Sequence, residues 1–216
     1  MKKTIRIVVI AAICTGAYMY LKPATIDPSL IAETTDVTTG TITTGTTTTA
    51  NQFSLNANST LNWTGRKVGG EHYGTVAITD GFVALESGMV VAGEFTIDMA
   101  TIASTDLSGD EASKLVGHLS SADFFDAVQY PTAKFTITSI TANASWANMY
   151  DVVGTLMMKG IGKQINFPAT IVMTADSVNV TAGFYINRQD RAMNTMAGVI
   201  DDNLGISFNL MFGKAL

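Results

Sequence analysis

The sequence predicts an all-β protein: a closed antiparallel barrel with one short helical insertion. Three observations predict it. Thr, Val and Ile supply 30, 16 and 18 of the 216 residues, and β-branched side chains suit a pleated surface. Apolar and polar residues alternate with period 2 in several runs beyond residue 52, the mark of strands with one dry face. A single stretch has helical period instead. About eight up-and-down strands fit the folded part, and closure removes the exposed edges such a succession would leave. A two-sheet sandwich is the alternative.

The chain opens with Lys2, Lys3 and Arg6, followed by an apolar run to Leu21. Basic residues ahead of an apolar core read as an export signal, and a run this short falls below the about 20 residues of a membrane span. Thr15-Gly16-Ala17 offers small residues for cleavage but is followed by Tyr18-Met19-Tyr20-Leu21. Residues 1–24 are therefore read either as a cleaved signal peptide or as an N-terminal anchor held through residues 5–21, basic end inside. Either way the expected location is periplasmic or secreted, with inner-membrane attachment if the leader stays. Cys14 follows the bulky Ile13, which suits a small apolar residue of the leader better than a lipid-attachment site.

Residues 25–51 read as a Thr-rich disordered linker. Between Thr34 and Ala50, 11 of 17 residues are Thr, and nothing there could form a core face.

Residues 52–216 read as the folded domain. Leu61, Trp63 and Gly65 share one strand face, as do Ala133, Phe135 and Ile137. So do Ile165, Phe167, Ala169, Ile171 and Met173, and Ile206, Phe208, Leu210 and Phe212. Asp80-Gly81 reads as a tight turn between two strands, with looser turns at Ser87-Gly88 and Gly160-Ile161-Gly162. Ser108 followed by Glu111 fits a capping box. Ala112, Leu115, Val116 and Leu119 form the helical stripe behind it. A second short turn is expected over Ser121–Asp126, ended by Tyr130-Pro131.

Charge and composition exclude several classes. The formal net charge is −5; beyond residue 22 it is −9, because four bases and no acid lie in the leader. Nucleic-acid binding, which needs clustered Lys and Arg, is excluded. One Cys and two His make no zinc cluster, so no metal site is expected. His118 sits on the helix beside Leu115 and Leu119 and reads as a structural partner of Asp123 or the backbone. His72 follows the Lys67–Glu71 turn. Asp123 and Asp126 read as cap and turn residues.

Several segments are similar to one known family. Trp63-Thr64-Gly65-Arg66-Lys67-Val68-Gly69-Gly70-Glu71-His72 and Gly93-Glu94-Phe95-Thr96-Ile97-Asp98-Met99 resemble the opening of the YceI-like family, bacterial lipocalin-like lipid-binding proteins. The most specific stretch is Lys114-Leu115-Val116-Gly117-His118-Leu119-Ser120-Ser121-Ala122-Asp123-Phe124-Phe125-Asp126, followed by Tyr130-Pro131-Thr132-Ala133-Lys134-Phe135. Val153-Gly154-Thr155-Leu156 and Lys159-Gly160-Ile161-Gly162-Lys163 follow in the same order. The likeness runs from about Phe53 to Phe212. After Ile186-Asn187-Arg188-Gln189-Asp190 the family usually continues with an aromatic and a glycine, where this chain has Arg191 and Ala192.

The resemblance implies an extended eight-stranded antiparallel barrel with an apolar lumen, and non-enzymatic binding, storage or transport of a long-chain isoprenoid or similar lipid. No cofactor is implied beyond such a ligand, for instance a polyprenyl quinone. The inward-facing candidates are Trp63, Val76, Phe95, Ile97, Phe135, Ile137, Leu156, Phe167, Ile171, Phe184, Ile186 and Phe208. Periodicity alone fits a plain core as well as a lumen, and only the resemblance favours the lumen. Lys67 and Arg188 are candidate headgroup contacts, with ordinary surface charge as the alternative. Expected partners are an isoprenoid or fatty-acyl lipid, the membrane through residues 5–21, and a second copy of the chain as a homodimer. The alternative function is a lipid-modifying enzyme using His118 or His72 with a carboxylate.

Overall fold

The computed structural model describes residue 32, residues 35–36 and residues 51–214. The leader, with Cys14 and the run at 5–21, lies outside the described residues, as does most of the 25–51 segment. The described strands are β1 (Thr35–Asp36), β2 (Gln52–Leu55), β3 (Thr60–Lys67), β4 (Gly70–Glu86), β5 (Met89–Ser104), β6 (Thr132–Ala142), β7 (Met149–Met158), β8 (Ile161–Met173), β9 (Ser177–Asn187) and β10 (Asn203–Lys214). One helix, α1 (Gly109–Ser120), separates β5 from β6.

From β3 to β10 each strand pairs antiparallel with the next, and β10 returns to β3. This closes an eight-stranded barrel. β2 shares the position of β3: it too lies between β4 and β10. The two are one strand interrupted at residues 56–59. There the Asn56 N–H donates to Met211 O at 2.7 Å, and the Met211 N–H donates to Ser59 Oγ at 3.0 Å. The ladder is thus satisfied across the break, as buried backbone requires.

Two turn expectations change. Asp80-Gly81 is no turn: both residues lie inside β4, at a bulge in its pairing with β5. Asp80 Oδ1 accepts the Gly81 N–H at 2.8 Å. A Cβ on Gly81 would lie 2.8 Å from Glu94 O. The glycine therefore serves close strand approach rather than reversal. The turn expected at Gly160-Ile161-Gly162 is the two-residue link Lys159-Gly160, both at positive φ, and β8 has begun at Ile161. Ser87-Gly88 is a turn of the same kind, as expected.

Ser108 stands at the N-cap of α1 in extended conformation, but its side chain makes no capping bond. Only the position of the expected capping box is realised. The stripe Leu115, Val116 and Leu119 lies half-buried against the core, and no residue of α1 is fully buried. The turn after it buries Phe124 and Phe125.

Residue 32 and residues 35–36, inside the segment read as linker, touch the barrel. β8 and β9 pair only between Ala169–Met173 and Val178–Ala182. Nearer the other end they share no ladder. There the Ala32 N–H donates to Tyr185 O on β9 at 2.9 Å, and β1 pairs with Gln164 and Lys163 of β8. Ala32 itself is buried. At these residues the segment is docked, satisfying strand edges that would otherwise be left open.

Just beyond β9 the chain carries two unfavourable residues, Arg191 and Ala192. Arg191 is 0 % exposed. Its Nη1 donates to Leu156 O at 3.0 Å and Ile161 O at 3.2 Å, while Nε and Nη2 have no partner among the described residues. Desolvation pulls its pKa down to about 10, against a smaller opposing pull from Asp190. Ala192 has φ 53°, a region costly for a residue with a Cβ.

Both residues should therefore work against stability. Ala192→Gly should stabilise the fold by ~1 kcal/mol. Arg191→Met, which keeps volume without a buried charge, should leave stability unchanged or raise it. Thermal unfolding at neutral pH checks both, and a fall of several degrees in either variant would contradict the reading.

Candidate ligand-binding site

Inward-facing residues of several strands meet at the barrel axis, and five of them are phenylalanines. Phe95 of β5, Phe135 of β6, Phe167 of β8, Phe184 of β9 and Phe208 of β10 converge from five strands, all buried. Ring centroids lie 5.5 Å apart for Phe95–Phe135 and Phe135–Phe167, 6.0 Å for Phe167–Phe208 and 5.7 Å for Phe208–Phe95. Phe184 stacks on Phe167 at 4.2 Å and 13°. Such contacts contribute ~0.5–1.5 kcal/mol each beyond burial.

The stack divides the lumen. On one side lies a chamber of about 40 Å³ lined only by apolar side chains, among them Val76, Ile97, Leu156 and Ile206. On the other lies a chamber of about 30 Å³ reached by Ile137, Ile171 and Leu210. Phe95, Phe135, Phe167 and Phe208 line both. A cavity needs ~10–15 Å³ for one water, so each chamber, taken alone, has open room for no more than the end of a lipid tail.

The roomier space is at the barrel end under α1. A cavity of about 210 Å³ is bounded by Leu115, His118 and Leu119 of α1, by Arg66, Lys67 and His72 at the β3–β4 hairpin, and by Met193, Met196, Val199 and Ile200 of the loop before β10. Trp63, Phe125 and Leu204 line both this cavity and the 40 Å³ chamber, forming a neck between them. The Trp63 indole N–H donates to Ala103 O at 3.2 Å, which fixes the ring in the neck. An engineered cavity of ~150 Å³ admits benzene, whereas ligand sites usually span ~300–1,000 Å³. The mouth cavity suits one ring-sized group.

Its polar wall is organised by two groups. Arg188 is 3 % exposed. Its Nη1 donates to Thr195 O at 2.9 Å and to Met193 O. Nε donates to Asp201 O at 3.1 Å and Nη2 to Ile200 O at 3.2 Å, and Nη2 also forms an ion pair, without hydrogen-bond geometry, with the Asp202 carboxylate at 3.0 Å. These bonds hold the 193–202 loop in place, so the guanidinium builds the cavity wall with donors already engaged. The second group is His72. Its Nδ1 lies 2.7 Å from Asp106 Oδ2, and Asp106 Oδ1 accepts from Ser104 Oγ at 2.8 Å and the Tyr73 N–H at 3.2 Å. Burial pushes the Asp106 carboxyl upward, but the bonds from His72, Ser104 and Tyr73 outweigh it, and the pKa ends below the ordinary carboxylate value.

His118 also lines the cavity, with Nε2 at 3.8 Å from Asp123 Oδ2 and its ring edge-on to Phe124 at 4.9 Å. The expected Asp123 partner is thus present at ion-pair range, too far for a hydrogen bond. No Ser, Thr or Cys side chain bonds to either imidazole among the described residues.

Of the twelve inward candidates, Trp63, Val76, Phe95, Ile97, Phe135, Leu156, Phe167, Phe184 and Phe208 line the near chamber, and Ile137 and Ile171 line the far one. Ile186 is fully buried but lines neither chamber nor the mouth cavity. Lys67 is at the mouth. Sequence reasoning missed Arg66, Asp106 and Phe125 as site residues.

The YceI-like domain model matches residues 33–212. The chain belongs to the YceI family. The YceI match starts at residue 33, close to the docked Ala32, rather than near Phe53. Curated relatives include a UPF0312 protein of Pseudomonas putida F1, 36% identical over 98 residues, covering 45% of this chain and 48% of that protein. Protein YceI of Escherichia coli O157:H7 is 30% identical over 104 residues, covering 48% of this chain and 51% of that one. The chain thus spans about half the length of the curated relatives it matches. Among solved structures, Burkholderia cenocepacia BcnA superposes with a TM-score of 0.59 at 22% identity, over 72% of this chain and 96% of that one. A polyisoprenoid binding domain from Saccharophagus degradans superposes at 0.56 and 17% identity, over 76% and 98%. At these identities the likeness shows the shared YceI barrel fold.

The Asp106 bonds generate a pH-dependent prediction. Because its folded pKa is lowered, its contribution is present above the ordinary carboxylate value and lost as pH falls through the lowered one. Asp106→Asn should cost ~1–3 kcal/mol at neutral pH. That deficit should shrink below about pH 4, as followed by denaturant titration across pH.

Proposed function

We propose that this chain binds an isoprenoid or similar amphiphilic lipid without chemically changing it, with the polar end in the mouth cavity and the apolar tail directed through the neck into the lumen. One observation carries the reading: a cavity with a polar rim adjoins, at Trp63, Phe125 and Leu204, a chamber lined wholly by apolar side chains. Carbon surface contributes ~0.8 kcal/mol per buried CH2, so ten tail carbons would supply ~8 kcal/mol before ordering costs. Membership of the YceI family and the fold shared with a polyisoprenoid binding domain support the same reading.

Lys67 and His72 stand at the rim as donors for an acceptor group. The basic, apolar leader supports a place in the cell envelope, attached to the membrane if residues 5–21 are retained. N-terminal sequencing of envelope-associated protein tests this.

Native mass spectrometry of the purified chain after incubation with prenyl or acyl lipids tests the binding. The expected outcome is retention of one lipid per chain. Leu204→Trp, which narrows the neck at a half-buried position, should reduce retention at least tenfold while thermal stability stays within a few degrees. A chain that retains neither isoprenoid nor acyl lipid overturns the proposal.

A further inference from the structure

We infer that the phenylalanine stack is a length stop: this barrel takes amphiphiles whose apolar tail ends at the stack, a few isoprene units or an equivalent short acyl chain, and not a tail running the length of the lumen. The inference rests on the lipid-binding reading and narrows its ligand class.

The four rings that line both chambers touch one another in a closed circuit across the barrel, 5.5–6.0 Å between neighbouring centroids. Each arises from a different strand, so the circuit is anchored from four places around the wall. Phe135 is seated by the backbone opposite it. A Cβ on Gly154 of β7 would lie 2.2 Å from Phe135 Cζ, so the ring occupies space that a side chain on β7 would otherwise fill. Phe167 is held on its other side by the stacked Phe184. Close-packed interiors resist such displacement, since a moved ring needs a void to enter. The far chamber, about 30 Å³, offers no such void. Room for a tail therefore lies between the mouth cavity of about 210 Å³ and the near chamber of about 40 Å³, and ends where the rings meet.

The test measures affinity of the full chain for prenyl alcohols of two, three, four and eight isoprene units, by competition against a fluorescent fatty acid. Wild type should tighten from two to about three units and then gain less than twofold with further length. Phe167→Leu and Phe208→Leu, which thin the stack but keep apolar cover, should bind the eight-unit alcohol at least tenfold tighter than wild type does. Should a variant not fold, the wild-type series decides alone. Tightening that continues through four and eight units in wild type overturns the stop while leaving lipid binding standing. Absence of binding for every length, in wild type and variants, overturns both.

Discussion

An eight-stranded barrel is just wide enough for its own side chains to fill, and the rest of this structure depends on that geometric limit. Each inward position is shared between packing and vacancy. Five phenylalanines on the axis decide the contest in favour of packing at mid-barrel. Open volume is displaced to the end, where α1 and the 193–202 loop roof the strands at a distance instead of filling them. The polar groups follow the same division: Arg188 and the His72–Asp106 pair lie at the roofed end, where backbone carbonyls and carboxylates are available to satisfy them.

The residues that hold the mouth together differ in kind from those that hold the barrel. Strand pairing and apolar burial are distributed over the wall, and no one contact dominates. At the mouth, one guanidinium reaches carbonyls at Met193, Thr195, Ile200 and Asp201. A few residues therefore set the shape of the cavity, whereas many set the shape of the cylinder. Arg191, four residues beyond the end of β9, illustrates the opposite economy: a fully buried charge with two nitrogens unpartnered among the described residues.

Much of the barrel was legible in the sequence because its signal is local. Alternation at Leu61/Trp63 and along Ile165–Met173 depends on a two-residue period that any strand with one dry face must show. Inward candidates such as Phe95 and Phe208 were readable for the same reason. Asp80-Gly81 misled because the dipeptide that favours a tight turn also suits a bulge, and only the partner strand at Glu94 and Phe95 distinguishes them. The mouth was mostly illegible. His72 and Asp106 are 34 residues apart, and no spacing rule brings a hairpin and the approach to a helix together. Nor does periodicity distinguish a lumen from a plug: Phe135 and Phe167 have the same pattern whether rings touch or stand apart.

The docking of residue 32 and residues 35–36 bears on the topology of the Thr-rich run. Asp36 is paired to β8 and Gln52 to β4, so the chain leaves the barrel and returns to it between these two residues. The entropy of closing a loop grows only slowly, by ~0.6 kcal/mol per doubling of its length, which leaves its length and composition almost unconstrained by folding. A single peptide-bond break inside it would not detach the upstream piece, because Ala32 and β1 would still be hydrogen-bonded into the seam between β9 and β8. The nicked chain would be a two-fragment barrel.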